Sequence, residues 1–315
     1  MPDSPLNAAA VVAIVGPTAA GKSALATQLA LRLGGEIVNA DAMQLYRGMD
    51  IGTAKASVAE RARVPHHCLD LWDVSEPASV KEYRDLARAV VVEVWDRGRI
   101  PLVVGGSWLY VRAVCDVLEI PPRDARIRAE LVAELAAVGP EMLHARLAEL
   151  DPAAASGILP GNGRRIVRAL EVISLTGSYR AVLPEPHCWQ PTLWLGVTRP
   201  RAELDDLIAD RVARMWDSGL IEETRRLISA GLRSGPTACK AVGYAQAIGF
   251  IEGEMTQAEA QAETVRATKR LARRQDRTFR ADTRVKWLDG CDPDRLDEAA
   301  ELIRRMKEPG ARPRD

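Results

Sequence analysis

The sequence predicts an α/β fold, a parallel β-sheet with helices on both faces and a helical insertion. Three observations carry this. Short apolar runs alternate with helical periodicity through the first third of the chain. From about residue 126 to residue 176 helical periodicity continues with no strand between. Strand patterns then return at residues 192–197 and 284–288.

The elements follow in order. Residues 11–15 (VVAIV) form a continuous apolar run, as in a strand covered on both faces. A helix is expected at 22–33, a strand at 36–40, a helix at 79–97 and a strand at 101–105. This rhythm is that of βαβ units. Pro121-Pro122 opens the helical stretch, with helices at 126–150 and 164–176, and Pro184, Pro186 and Pro191 close it. Helices are expected at 201–217, 219–231, 256–280 and 293–306. The expected division is a core of residues 11–118 and 191–290, a helical insertion at 119–190 and a C-terminal helix within 291–307. Residues 1–10 and the Pro/Arg-rich 308–315 are expected to be disordered.

Gly16-Pro17-Thr18-Ala19-Ala20-Gly21-Lys22-Ser23 matches the phosphate-binding pattern G-x-x-x-x-G-K-[S/T]. It lies between the first strand and the first helix, as that chemistry requires. Glycines let backbone N–H groups turn towards phosphate oxygens, and the helix N-terminus adds partial positive charge. Lys22 would reach the outer phosphate, and the Ser23 hydroxyl would ligate Mg²⁺. The expected architecture is therefore a P-loop NTPase-like parallel sheet core with a helical insertion domain. A glycine-rich turn that merely joins strand to helix would explain neither the Lys-Ser pair nor the flanks.

Composition narrows the partners. The chain is 47% hydrophobic and 27% charged with a formal net charge of +0, so nucleic-acid binding must use local basic patches. Five cysteines lie far apart with no C-x-x-C pair, as expected of reduced thiols in a cytoplasmic protein. The adjacent His66 and His67 would point apart, which favours a structural role over a metal pair. No secretory signal is evident, and no apolar run approaches the roughly 18 residues of a membrane span.

Asp41 follows the apolar strand ending near Ala40, where the ends of parallel strands face a ligand crevice. It is a candidate base or Mg²⁺-shell acid, against the plainer possibility of a turn or cap residue. Residues 39–55 (NADAMQLYRGMDIGTAK) form a long polar loop beside the phosphate site, a place where substrate is usually held. Gly105-Gly106-Ser107 ends the 101–105 strand, with glycines for close approach and a hydroxyl for a ligand. Arg164, Arg165 and Arg168 share one helical turn. Arg266, Arg270, Arg273, Arg277 and Arg280 form a stripe with Lys269 and Arg274 beside it and Asp276 as the only acid in that span. Charge runs are usually solvated faces, but so few interleaved acids point to a polyanion partner.

The chain resembles the tRNA dimethylallyltransferase (tRNA isopentenyltransferase) family. The matching blocks are GPTAAGKS at 16–23, NADAMQLYRGMDIGTAK at 39–55, PHHCLD at 65–70, PLVVGGSWLY at 101–110, RRIVRALEV at 164–172, KAVGYAQAI at 240–248 and ATKRLARRQDRTFR at 267–280. The resemblance implies transfer of a dimethylallyl group from its diphosphate to the exocyclic N6 amine of the adenosine 3′ to a tRNA anticodon. By position it implies a diphosphate site of residues 16–23 with Arg211, and Mg²⁺ on Ser23. Asp41 would be the general base, with Lys22 acting on the leaving group. Asp41, Ala42, Met43, Gln44 and Ser107 would line the pocket for the flipped adenine. Arg128, Arg164, Arg165, Arg168, Lys240, Gly243, Tyr244, Arg273, Arg274, Arg277 and Arg280 would meet the anticodon stem-loop. A monomer is expected. The chain departs from the family pattern at Ala42, Trp108, Leu207, Ala245 and Thr278.

Two other classes use such a loop. A small-molecule or nucleoside kinase would spend ATP there, with the insertion as a lid. An RNA-binding nucleotide switch would need a second apolar strand ending in a Mg²⁺-coordinating acid, whereas the 101–105 strand ends in Gly-Gly, which counts against both.

Overall fold

The computed structural model describes residues 10–180 and 185–307, so residues 1–9, 181–184 (Pro184 among them) and 308–315 lie outside the described residues. The core unit begins with β1 (Val11–Val15), α1 (Lys22–Leu33), β2 (Gly35–Asn39), α2 (Val58–Arg63), β3 (His66–His67), α3 (Val80–Asp96), β4 (Ile100–Val104) and α4 (Trp108–Cys115). A second unit, Leu118–His187, contains α5 (Ala125–Leu150), α6 (Pro152–Ser156) and α7 (Gly163–Thr176). The core resumes with β5 (Thr192–Thr198), α8 (Arg201–Asp217), α9 (Leu220–Ser229), α10 (Tyr244–Ile251), α11 (Gln257–Arg280), β6 (Val285–Asp289) and α12 (Arg295–Lys307).

The core sheet has six strands in the order β3-β2-β4-β1-β5-β6, and every pairing is parallel. The strand alternation separates two apolar layers. Val12 and Ile14 pack with Leu25 and Leu29 of α1. Val11, Ala13 and Val15 pack on the other face with Tyr83, Ala87 and Val91 of α3 and with Val111 and Val114 of α4. β1, β2 and β4 are buried throughout; β1 therefore reads as an unbroken apolar run, while β2 carries the buried Glu36 and Asn39.

β3 and the helices of five to eight residues carry no periodic signal in the sequence. β3 spans only two residues, yet it fixes the sheet edge. There His67 Nε2 meets Glu36 Oε2 at 2.7 Å, and Arg97 donates to both oxygens of the same carboxylate. His66 Nδ1 meets the Val64 carbonyl instead, so the two rings point to separate partners. α2 depends on a capping box between Ser57 and Glu60. The expected helix at 126–150 is broken at Gly139, whose φ of 81° is non-helical, followed by Pro140.

The second unit packs α5 against α7 around Leu131, Leu143, Leu147, Ile166, Val167 and Leu170. Its polar centre is the buried Glu171, which pairs with Arg128 at 2.5 Å and Arg168 at 2.8 Å.

Candidate active site

β2, β4 and β1 are neighbours in the sheet, and the segments that follow them are joined by hydrogen bonds at the carboxyl end of the strands. β1 leads into the phosphate loop. Gly16 has φ 131°, and a side chain there would collide with the Val197 carbonyl of β5. Gly21 caps α1 without a side-chain bond, so the N–H groups of the first turn remain for an anion. The half-buried Lys22 donates from Nζ to the Pro17 carbonyl at 2.7 Å. Burial pushes its pKa down to about 8; the Asp41 carboxylate opposes that and the Arg211 guanidinium adds to it.

Arg211 reaches the loop from α8. Its Nη1 donates to Thr18 Oγ1 and its Nη2 to the Thr53 carbonyl, each at 3.3 Å. Burial also lowers its pKa, again opposed by Asp41. Lys22, Arg211 and Asp41, distant in sequence, thus share one electrostatic environment.

Asp41 is held by the chain around it. The buried Asn39 accepts the Asp41 N–H at 3.0 Å and donates to the Cys68 carbonyl at 2.9 Å. Asp41 Oδ1 accepts the Met43 N–H at 2.9 Å, which closes a local turn. Oδ2 has no hydrogen-bond partner among the described residues. So Asp41 is a turn residue and still keeps a carboxylate oxygen for a ligand proton. The Ala42 N–H donates to Ser107 Oγ at 3.1 Å, which joins the loop after β2 to the turn after β4.

The rest of the 39–55 loop is anchored by residues that the sequence reading did not single out. Lys55 is wholly buried and pairs with Asp70 at 2.6 Å and Asp50 at 2.8 Å. Glu223 of α9 accepts the N–H of Ile51 at 2.9 Å and of Asp50 and Gly52 at 3.3 Å. Thr53 follows directly, and its carbonyl receives both Arg211 and Gln44 Nε2, the latter at 3.2 Å. Gln275 of α11 is the third, with Oε1 accepting the Thr18 N–H at 2.8 Å and Nε2 donating to the Gly106 carbonyl at 3.0 Å. Its one sequence signal is a neutral amide in a charged run, Arg273 to Arg277. Glu223, second of two adjacent acids, gave none.

The basic residues fall into two groups. Arg164 and Arg165 on α7 are exposed, as are Lys240, Arg273, Arg274, Arg277 and Arg280. Others depart from expectation. Arg128 and Arg168 are committed to Glu171, and Arg168 also donates to the Pro121 and Pro122 carbonyls at 2.8 and 2.9 Å. Gly243 and Tyr244 are buried, and the Tyr244 hydroxyl donates to Glu223 at 2.6 Å. Tyr244 therefore supports the 39–55 loop from beneath and offers no side-chain surface to RNA.

The α11 stripe is also less bare than its sequence suggests. Glu263 pairs with Arg266 at 2.7 Å and Arg270 at 2.6 Å. Asp205 of α8 lies 3.6 Å from Lys269 and 3.9 Å from Arg273. Arg280 pairs with Asp276 at 2.9 Å and stacks over Trp287. Arg274 and Arg277, three apart on the helix, have no acidic partner among the described residues. Trp108, a departure from the family pattern, packs into the core against Trp194 and Phe279.

A loop of the phosphate-binding pattern, two cations beside it and a carboxylate within their field define an α/β protein of the P-loop class. The chain belongs to the IPP transferase family, whose model matches residues 44–282. A curated relative from Salinispora arenicola, a tRNA dimethylallyltransferase, is 57% identical over 94% of this chain and 87% of its own length. The crystal structure of the full-length tRNA isopentenylpyrophosphate transferase from Bacillus halodurans is 40% identical, with a TM-score of 0.70, over 94% of this chain and 96% of that one. A eukaryotic dimethylallyltransferase captured crystallographically acting on tRNA shares the fold, with a TM-score of 0.75 at 23% identity over 94% of this chain and 77% of that one.

Proposed function

We propose that this chain transfers a dimethylallyl group from dimethylallyl diphosphate to the exocyclic N6 amine of the adenosine 3′ to a tRNA anticodon. Family membership supports the class of reaction. The observation that supports the chemistry is the bond from Arg211 to Thr18 of the phosphate loop, which sets a second cation beside Lys22, with Asp41 on the segment after the neighbouring β2. The diphosphate lies on the N–H groups of residues 21–23 at the start of α1, the Thr18 N–H being taken by Gln275. Lys22 and Arg211 offset the charge that grows as the carbon–oxygen bond breaks. The adenine amine attacks the freed carbon and Asp41 takes its proton, a contribution of roughly 10²–10⁴-fold.

The acceptor must be unstacked to reach Asp41. Ala42, Met43, Gln44 and Ser107 line its pocket in this proposal. The exposed Lys240, Arg273, Arg274, Arg277 and Arg280 of the core unit hold the anticodon stem-loop by its phosphates; in the helical insertion, Arg164 and Arg165 are exposed and offer phosphate contacts of their own. Mg²⁺ fits the same site. No cluster of three or more His, Cys, Asp or Glu side chains able to hold a metal occurs among the described residues, and the Ser23 hydroxyl is exposed on the first turn of α1. Such a donor set suits an ion held mainly by phosphate oxygens. Bound there by Ser23, it would neutralise charge on the leaving diphosphate. The enzyme of this proposal is a monomer, and its tRNA substrate points to the cytoplasm.

Mass spectrometry of nuclease-digested tRNA tests the proposal. After incubation with dimethylallyl diphosphate and Mg²⁺, the adenosine next to the anticodon should gain one five-carbon unit. Phosphate transfer from ATP to a small acceptor, with the tRNA unchanged, would establish the kinase reading instead.

A further inference from the structure

We propose that Gln275 is a positioning residue that locks the donor half of the site to the acceptor half; this rests on the reading of the site given above. Its buried amide is shared between two loops. Oε1 holds the Thr18 N–H of the phosphate loop at 2.8 Å, and Nε2 holds the Gly106 carbonyl at 3.0 Å. The next residue, Ser107, accepts the Ala42 N–H beside Asp41. One side chain thus links the loop that carries the leaving group to the turn that steadies the base.

The fit is tight on both sides. A Cβ at position 106 would overlap the Gln275 amide nitrogen and push the amide aside, so the bond to the Gly106 carbonyl depends on glycine there. Thr18 is tied a second way, through its hydroxyl to Arg211. With its N–H and hydroxyl both bonded to protein, Thr18 sets the curvature of the loop before any anion arrives. A preformed loop binds more tightly and reacts faster than one that must be ordered on binding. Gln275 also sits on the helix that presents Arg274 and Arg277 to solvent, with its amide on the buried side. No other amide, hydroxyl or carboxylate bridges these two loops among the described residues.

Two substitutions separate positioning from packing. Gln275→Met keeps the volume and removes both bonds. It should weaken binding of inorganic diphosphate with Mg²⁺, measured by calorimetry, by about tenfold. It should also lower kcat while leaving the Kd for tRNA unchanged. Gln275→Glu keeps the acceptor for Thr18 but, when ionised, faces the Gly106 carbonyl and the diphosphate with negative charge. Protonated, it regains a donor for Gly106. Burial raises a carboxyl pKa, so the affinity of Gln275→Glu relative to wild type should rise about tenfold per pH unit lowered until the acid is neutral. A packing role predicts a lower melting temperature, wild-type diphosphate affinity and a pH-independent ratio; that result for the folded variants overturns the proposal. If wild-type protein binds diphosphate but does not alkylate tRNA, the functional assignment fails, and the diphosphate measurements still decide the role of Gln275.

Discussion

Lys22 offers the sharpest test of the site because its charge is conditional. Burial lowers its pKa from 10.5 to about 8, so the free protein holds a cation there at pH 7 but loses it over the next two units. Diphosphate needs the charged form. With a pKa of about 8, the charged fraction is roughly nine-tenths at pH 7, half at pH 8 and one-tenth at pH 9. Affinity for inorganic diphosphate should therefore fall about twofold at pH 8 and about tenfold at pH 9 relative to its low-pH limit. A bound anion favours the ammonium, so binding above pH 8 should also take up a proton. That uptake shows as a dependence of the calorimetric enthalpy on the buffer's own ionisation enthalpy. The sign for stability is opposite to that of a paired lysine. A depressed folded-state pKa means that the empty site disfavours protonation, a penalty present at neutral pH and relieved as pH rises from 8 towards 10.5. Diphosphate ionises over the same range, so Lys22→Met is the control and should bind weakly, with only the ligand's own pH dependence. A wild-type affinity flat from pH 7 to pH 9, or a Lys22→Met profile parallel to wild type, would refute this account of the phosphate site.

Other expectations follow from the same geometry. Asp41→Asn keeps the local turn and removes the proton acceptor; kcat should fall about 10²-fold or more with tRNA affinity little changed, read by single-turnover kinetics and filter binding. Among the α11 arginines, the Arg274→Ala, Arg277→Ala pair should flatten the log–log salt dependence of tRNA binding by about two, one for each phosphate that is no longer neutralised. Arg266→Ala and Arg270→Ala, which break pairs with Glu263, should leave that slope nearly unchanged. Glu223→Ala strips the acceptor from three backbone N–H groups and the Tyr244 hydroxyl. It should cost roughly 3–5 kcal/mol in denaturant melts and raise the KM for the donor by releasing the Thr53 carbonyl that steers Arg211.

Much of this protein is determined by short stretches of sequence. The phosphate loop is contiguous, and its strand and helix are its immediate neighbours, so spacing and turn chemistry reveal it. The central strand β1 is buried on both faces and therefore reads as an unbroken apolar run. The 39–55 block is distinctive enough to carry a family resemblance. Helices of five to eight residues and the two-residue β3 are not visible in this way. β3, α2, α4, α6 and α10 are too short for a periodic signal and exist because caps and neighbours hold them.

Partnership is what only the tertiary structure decided. Gln275 meets Thr18 across 257 residues of chain, and nothing local to either marks the pair. Tyr244 was expected to face RNA, yet packing turns it inward, where with Glu223 it holds a backbone loop. The basic residues behave in the same way. Periodicity places an arginine on a helix face, but whether it keeps its charge for a ligand depends on which acids another element brings beside it. Asp205 and Glu171 do this for Arg273, Arg128 and Arg168, while Arg274 and Arg277 are left without such a partner among the described residues. Secondary structure follows from interactions within a few residues, whereas ion pairing and desolvation depend on what the folded chain brings within a few ångströms.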